Sequence, residues 1–405
     1  MRVSTQQIFS RGLQQIQDVT QQQQKTQLQL STGKKVLTPA DDPVASTRIL
    51  ELNQELVLNQ QYQRNIELAD GRLKLQDSSL AGVNDVVQRI RELAVTSGNG
   101  ALSAADLGSI ADEVEERLGQ LAGLLNSQDA GGEYLFAGYQ GNTKPFTENV
   151  SGAFEYQGDE GKRLVRIDAS VTIATTENGK QIFQDVASER NTFYTVASSS
   201  NQASPPAQIS AGQVTDQEVY DAFYPEDLVV TFNTPNDFSV SEKSTGRVVL
   251  SNSAYQSNSP ISINGVQFNI TGDPVAGDSF EVNSSAKQGV LTTVEKFVYA
   301  LRNFTASPEG RDIFNDGIAD AIANLDNAET SILAARGQIG ARLNTIETTS
   351  EQLKDVEVLT QEFLTGLESV DYAEAVSLLS MQTFTLEAAY SSYAQITSLS
   401  LFDRL

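Results

Sequence analysis

The residue types that most often perform chemistry are unevenly represented in this chain of 405 residues. Aspartate and glutamate together number 52, whereas histidine and cysteine are both absent. Without those two residue types the chain cannot build a zinc finger, an iron–sulfur site, a thiol nucleophile or a Ser-His-Asp triad. Metal binding could use only carboxylates and carbonyl oxygens. We therefore expect no cofactor and no catalytic site of these kinds.

Two groups of carboxylates remain as candidates for catalysis or metal binding. The first is the pair Asp41 and Asp42, which stands directly before Pro43. Adjacent carboxylates beside proline are typical of a turn, in which Asp42 caps a helix that has Pro43 as its first residue. The second group comprises Glu113, Glu115 and Glu116. Its spacing is typical of a solvated helix face, so neither group predicts an enzyme.

Net charge and apolar content exclude further classes of protein. The formal net charge of -24 repels phosphate backbones, so nucleic acid is not an expected partner. No stretch of about 20 apolar residues is present, which predicts no membrane insertion. The N-terminus lacks the apolar core of a secretory signal. A hydrophobic content of 39% suits two or three folded domains.

Helical periodicity dominates the first third of the chain. A thin apolar stripe near the N-terminus consists of Phe9, Leu13, Ile16 and Leu30. Beyond Asp41, Asp42 and Pro43, a heptad seam with a polar break at Gln76 predicts a long helix. That seam contains Ile66, Leu73, Leu80, Val83, Val87 and Ile90, and the next helix contributes Leu118, Leu121 and Leu125. The short link between these helices predicts an antiparallel hairpin.

The same periodicity returns in the last third, beginning near residue 288. Its inner seam includes Ile332, Ile339 and Leu343. The final helix carries the terminal stripe Leu379, Leu386, Ala389, Tyr393, Ile396, Leu401 and Phe402. Between the helical ends, short alternating runs separated by turn signals such as Asn264-Gly265 predict an antiparallel β-rich insertion.

These patterns predict an α+β fold. The N- and C-terminal segments form a long antiparallel helical bundle or coiled coil, and a central antiparallel β-rich domain is inserted between them. We expect a terminal helical polymerisation domain (1–42 with 360–405), a helical rod domain (43–130 with 288–359) and a β-rich outer domain (131–287). Both chain ends then lie at one pole.

The terminal and inner seams have different expected roles. The inner seam residues are numerous enough to form the core of one chain. The terminal stripes are too narrow to form a core on their own. Helices with exposed apolar stripes associate with further helices. We therefore predict that the terminal stripe residues named above make contacts between subunits of a homo-oligomer.

Several residue strings resemble the flagellin family of bacteria. They are Ser31 to Val36 followed by Ala40 to Pro43, Arg89 to Val95, Arg336 to Leu343, and Asp371 to Ala375. Two further strings, Gly132 to Gly138 and Leu399 to Asp403, resemble hook-associated members of that family more than filament subunits. Together the strings cover roughly the first 145 and the last 115 residues.

The resemblance implies a non-enzymatic structural subunit at the junction between the flagellar hook and the filament. It implies export without a cleaved signal peptide, through the flagellar export apparatus. The implied partners are further copies of the chain in a ring, the hook-side junction protein, flagellin and a cytosolic export chaperone.

Three alternatives stay open at this level. The chain could be flagellin itself, with the insertion as the exposed domain of the filament. It could be an acid–base hydrolase, for which two buried carboxyls with raised pKa in one cleft would be the structural evidence. It could also be a surface adhesin or tail-fibre protein, although such proteins usually form parallel trimers and do not pair both termini.

Overall fold

The computed structural model describes residues 5–149 and 153–402, with side chains described for residue 7 and for residues 10–149 and 153–395. The helices are α1 (Thr5–Thr32), α2 (Pro43–Ser97), α3 (Ala104–Leu125), α4 (Gln217–Phe223), α5 (Val290–Arg302), α6 (Pro308–Glu368) and α7 (Tyr372–Phe402). The contacts divide the chain into two compact units, Met1–Arg64 with Thr348–Leu405 and Asn65–Glu347.

The first unit consists of helices from both ends of the chain. α1 packs along α7, where the Tyr393 ring lies 3.6 Å from the position that a Cβ atom on Gly12 would occupy. The carboxamide of Gln23 donates a hydrogen bond to the Thr383 hydroxyl over 3.1 Å. In the same unit, Leu52 and Leu364 belong to a small apolar cluster that joins the start of α2 to the end of α6. The predicted pairing of the two chain ends is confirmed.

The second unit begins with the helices that carry the inner seams. α2 ends at Ser97, immediately before Gly98, and the following helix begins with a capping box. The Ser103 hydroxyl accepts a hydrogen bond from the Asp106 N–H, and the Asp106 carboxylate accepts one from the Ser103 N–H. α3 then packs against α5 and against α2, where the Ser79 hydroxyl donates to the Leu124 carbonyl over 3.2 Å.

The β-rich insertion lies between α3 and α5. Its strands are β1 (Phe146–Glu148), β2 (Phe154–Tyr156), β3 (Leu164–Arg166), β4 (Thr172–Ala174), β5 (Ala187–Ala197), β6 (Gln208–Ile209), β7 (Gln213–Val214), β8 (Leu228–Thr234), β9 (Asp237–Glu242), β10 (Val248–Ala254), β11 (Pro260–Ile263), β12 (Val266–Thr271) and β13 (Ser279–Lys287). All the strand pairs described are antiparallel, so the predicted fold class is confirmed.

Two larger sheets share one apolar core in the insertion. One has the strand order β10-β9-β8-β13-β5, and the other has the order β11-β12-β6 with β7 paired to β12. Side chains from both sheets meet in the core, including Phe193, Phe232, Phe268 and Phe280. The turn between β11 and β12 is the predicted Asn264-Gly265, and both residues have the positive φ that a two-residue hairpin turn requires.

Candidate assembly surface

The side chains of α7 divide into two apolar faces. The predicted residues Leu379, Leu386, Ala389 and Tyr393 are half-buried, on the face where α1 packs. A different set is largely exposed, with Phe384 at 74% and Met381 at 69%. The other members of this exposed set are Tyr372, Val376, Leu378 and Tyr390. We call these six residues the outer face of α7.

A helix that is apolar around its whole circumference is normally buried on all sides. Full burial of each large side chain of the outer face would contribute about 1.5–3 kcal/mol. Helical periodicity predicts only one face of α7, because spacings of three and four residues define a single stripe along a helix. The signal for the second face was the scarcity of charged residues between Ala375 and Tyr393.

The predicted terminal residues of α1 differ in exposure. Ile16 is buried and Leu30 is half-buried, whereas Leu13 is 44% exposed. The predictions at Phe9, Ile396, Leu401 and Phe402 concern side chains outside the described ones. The contact of any terminal residue with a second subunit therefore stays a prediction.

The break between α1 and α2 pairs with the break between α6 and α7. The Lys35 N–H donates to the Glu368 carbonyl over 2.6 Å, and the Val370 N–H donates to the Gly33 carbonyl over 3.0 Å. The Lys34 ammonium lies 2.9 Å from the Glu368 carboxylate. Gly33 has a φ of 69°, a conformation that favours glycine. These contacts fix the register in which α1 lies against α7.

The two carboxylates of the predicted boundary turn, Asp41 and Asp42, make different contacts. Asp42 precedes α2, and its Oδ1 accepts hydrogen bonds from the N–H groups of Val44 and Ala45 over 3.1 and 2.9 Å. This is the geometry of an N-cap, with Pro43 as the first helical residue. Asp371 makes the equivalent two contacts at the start of α7.

Asp41 stabilises the turn itself. Its carboxylate lies 2.5 Å from the Lys25 ammonium and accepts hydrogen bonds from the N–H groups of Leu37 and Thr38. The hydrogen bond from Lys25, followed by those from the backbone, lowers the pKa of Asp41 to about 2. The side chain is therefore an ionised structural acceptor.

The predicted inner seam residues lie inside the second unit. Ten of them are buried: Ile66, Leu73, Leu80, Val83, Val87, Ile90, Leu121, Leu125, Ile332 and Ile339. The other two seam residues, Leu118 and Leu343, are half-buried. The polar break at Gln76 is fully buried, and its Nε2 donates to the carbonyl oxygens of Leu135 over 3.2 Å and of Thr175 over 3.4 Å. Gln76 thus attaches two loops of the insertion to α2.

The string Gly132 to Gly138 packs against the helices. Leu135, Phe136 and Ala137 have no exposed surface, and the Phe136 ring meets the Phe183 ring edge-on with centroids 5.2 Å apart. The Glu133 carboxylate forms an ion pair with the Arg72 guanidinium of α2 over 2.8 Å. The string that resembles the hook-associated members of the flagellin family therefore anchors the insertion to α2.

The carboxyls with raised pKa do not form a pair. Burial raises the pKa of Glu295 to about 8 and also raises the pKa of Asp320. Asp320 lines a cavity with Lys296, whereas Glu295 lines two other cavities beside β2 and α5. The arrangement that would have favoured a hydrolase is therefore not formed by these two groups. Within the described ranges, no helix is both long and apolar enough to cross a membrane.

Comparison with known proteins matches both helical ends. The model of the bacterial flagellin N-terminal helical region matches residues 3–141, and that of the C-terminal helical region matches residues 322–404. Flagellar hook-associated protein 3 of Salmonella typhimurium is 34% identical over 188 residues, which make up 46% of this chain and 58% of that protein. This match therefore spans less than two thirds of the relative.

Two further relatives are similar over almost their full lengths. Flagellar hook-associated protein 3 of Escherichia coli is 24% identical over 403 residues, covering 100% of this chain and 99% of that protein. The flagellar junction protein FlgL of Legionella pneumophila, a solved structure, is 28% identical, with 79% of this chain and 99% of that chain covered and a TM-score of 0.51. From the paired helical ends, the two matched flagellin regions and these relatives, we conclude that the chain belongs to the flagellin family of structural, non-enzymatic flagellar proteins.

Proposed function

We propose that this chain joins the hook of the bacterial flagellum to the filament, and that it polymerises through its terminal helices. The observation that carries the proposal is the outer face of α7, whose six large apolar side chains are between 45% and 74% exposed in a single chain. The two relatives that match over 99% of their own lengths are named as a hook-associated protein and a junction protein, and these names support a position at the junction over one in the filament.

The role requires several partners. Copies of the chain form a ring, the hook-side junction protein lies on one side of it, and flagellin lies on the other. Before export, a cytosolic flagellar chaperone covers the outer face of α7. The chain then leaves the cell through the flagellar export apparatus without a cleaved signal peptide, and α1 and α7 form the polymerisation domain once it reaches the growing tip.

Deletion of the gene tests the proposal. We expect cells with complete hooks and no attached filament, and flagellin released as monomer into the medium. Expression of the intact chain should restore filaments. Attached filaments or normal junctions in the deletion strain would contradict the proposal, and loss of filament protein itself would favour the flagellin alternative.

A further inference from the structure

The second unit contains a polar cleft between α5 and the strands of the insertion. It consists of two adjoining cavities with volumes of about 240 and 330 Å³. Ala153, Ala211 and Glu295 line both cavities, so the two share a boundary. We call them together the polar cleft. The larger cavity alone lies within the range of about 300–1,000 Å³ that is typical of small-molecule sites.

Two side chains at the smaller cavity offer hydrogen-bonding groups to an occupant. Gln184, in the turn Lys180–Gln184 between β4 and β5, has a buried Oε1 without a hydrogen-bond partner among the described residues. Glu295 of α5 accepts a hydrogen bond from the Phe154 N–H over 3.2 Å. Burial raises the pKa of Glu295 to about 8, so its carboxyl group is protonated at neutral pH and can donate as well as accept. The cleft therefore suits an occupant that carries both donors and acceptors.

Hydrogen bonds within the chain fix the polar wall of the larger cavity. The Tyr299 hydroxyl donates to the Asn269 Oδ1 over 2.7 Å, and the Asn269 Nδ2 donates to the Asn258 carbonyl over 3.2 Å. The Ser210 hydroxyl accepts a hydrogen bond from the Asn269 N–H over 2.8 Å. Asn269 and Tyr299 are both buried. Because these amide and hydroxyl groups are already held in position, a ligand that meets them loses little affinity to their ordering.

The polar cleft carries little net charge. Apart from tyrosines, the ionisable side chains among its described lining residues are Glu155, Glu295 and Arg302. Arg302 pairs with Asp112 and Glu115 of α3 over 3.0 and 2.7 Å, and the Glu295 carboxyl is protonated at neutral pH. The remaining carboxylate, Glu155, repels anions and supplies too few oxygen ligands for a divalent cation. The cleft is therefore suited to a neutral ligand.

Aromatic rings lie beside these polar groups. Phe154, Tyr156 and Tyr194 line the smaller cavity, and Tyr194 is 46% exposed. An exposed ring in a polar cleft can stack on the C–H face of a sugar, whose hydroxyl groups point outward around its edge. The polar groups of the cleft lie on several sides, with Gln184 in the turn before β5, Glu295 on α5 and Asn269 on β12. This arrangement fits hydroxyls spread around a sugar ring better than the single line of donors and acceptors along a peptide.

We propose that the polar cleft binds a neutral oligosaccharide. One sugar unit lies against the Tyr194 ring, where its hydroxyl groups donate to the Gln184 Oε1 and exchange hydrogen bonds with the Glu295 carboxyl. A second unit lies along the wall that Ser210 and Asn269 form. The inference goes beyond the proposed function, because it gives the β-rich insertion a ligand of its own, whereas assembly uses the terminal helices.

A glycan array tests the ligand class with the purified full chain. The array carries neutral, sialylated and sulfated oligosaccharides, and a tryptic digest of casein immobilised beside them serves as the peptide probe. We expect retention of the labelled chain on neutral glycans and not on the charged ones or the peptides. No retention on any glycan, a preference for charged glycans, or stronger retention on the peptides would each overturn the proposal.

Two variants locate the binding in the cleft. Tyr194→Ala removes the stacking ring, and Ala211→Phe places a large side chain where both cavities meet. Each should weaken binding of the retained neutral glycan by about tenfold or more, as measured by saturation-transfer-difference NMR. Tyr139→Ala is the matched control, because Tyr139 is 59% exposed in the insertion and does not line the cleft. Urea midpoints identify any variant that fails to fold, and the folded variant then decides. Unchanged affinity in a folded cleft variant, or an equal loss with Tyr139→Ala, would overturn the proposal.

Discussion

At the residue scale, Gln76 shows how a break in an apolar seam acquires a function. The residue has no exposed surface, and its carboxamide connects α2 to the carbonyl oxygens of Leu135 and Thr175. Heptad spacing located the break, but the partners come from loops at least 59 residues distant in sequence. No local pattern predicts which loop will approach, so only the structure identifies this anchor.

Gln76→Leu should destabilise the protein although it extends the apolar seam. The two carbonyl groups would lose their side-chain donor, at a cost of about 1–3 kcal/mol. Removal of the Gln76 Oε1, which is buried without a hydrogen-bond partner, would offset part of this cost. Urea denaturation followed by circular dichroism measures the change. Gln88→Leu is the control, because Gln88 is exposed and bonds only to Glu329 among the contacts described. A Gln76→Leu variant as stable as the natural chain would show that the anchor contributes nothing.

Glu295 should make stability depend on pH. Burial raises its pKa from 4.5 to about 8 in the folded chain, so the folded state retains a proton that the unfolded state loses. The stabilising effect is complete below pH 4.5 and is lost as the pH rises through about 8. Relative to the natural chain, Glu295→Gln should therefore gain stability between pH 5 and pH 8.5.

The measurement is the urea midpoint of both proteins across this pH range. Half-buried Lys296, whose pKa is lowered to about 7 by desolvation and raised by the charge of Glu295, also titrates in this range. The difference between the two proteins therefore reports the Glu295 carboxyl together with its coupling to Lys296. Glu347→Gln, on an exposed position of α6, serves as the control. A difference for Glu295→Gln that does not change with pH would contradict the assignment.

At the element scale, the helices were more predictable than the strands. The bounds of α2 follow from Pro43 with its capping aspartate and from Gly98, which are local signals. β13, by contrast, is the strand that joins β5 to β8, and the sequence alone does not predict it. Its sequence is rich in serine and asparagine, and its pairing partners lie far away in the chain, so tertiary contacts decide its conformation.

The two faces of α7 should respond differently to substitution. Phe384 is exposed, so Phe384→Ser should change the unfolding free energy of the monomer by less than about 0.5 kcal/mol. The same change should abolish assembly at the hook, because it removes a large apolar side chain from the outer face. Motility and filament attachment are measured beside Val219→Ser, a matched exposed position on α4. Full attachment with Phe384→Ser would exclude the outer face as the polymerisation surface.

At the scale of the whole molecule, the isolated subunit and the assembled one should differ most at the chain ends. In the monomer, α7 is covered on one face by α1, whereas the inner seams are buried in the second unit. Limited proteolysis of the purified monomer should therefore cleave first within residues 1–45 and 360–405 and leave a resistant middle. Flagella that contain the assembled chain should protect those ends. Resistant ends in the monomer would contradict the account.

The most direct test of the junction role is the position of the protein on the flagellum. A short epitope inserted beside Gly246, in the exposed turn between β9 and β10, labels the β-rich insertion and leaves the sequence of the terminal helices unchanged. Electron microscopy with a gold-labelled antibody should show one narrow band per flagellum, where the hook meets the filament. Label along the whole filament, or none on the flagellum, would contradict the junction role.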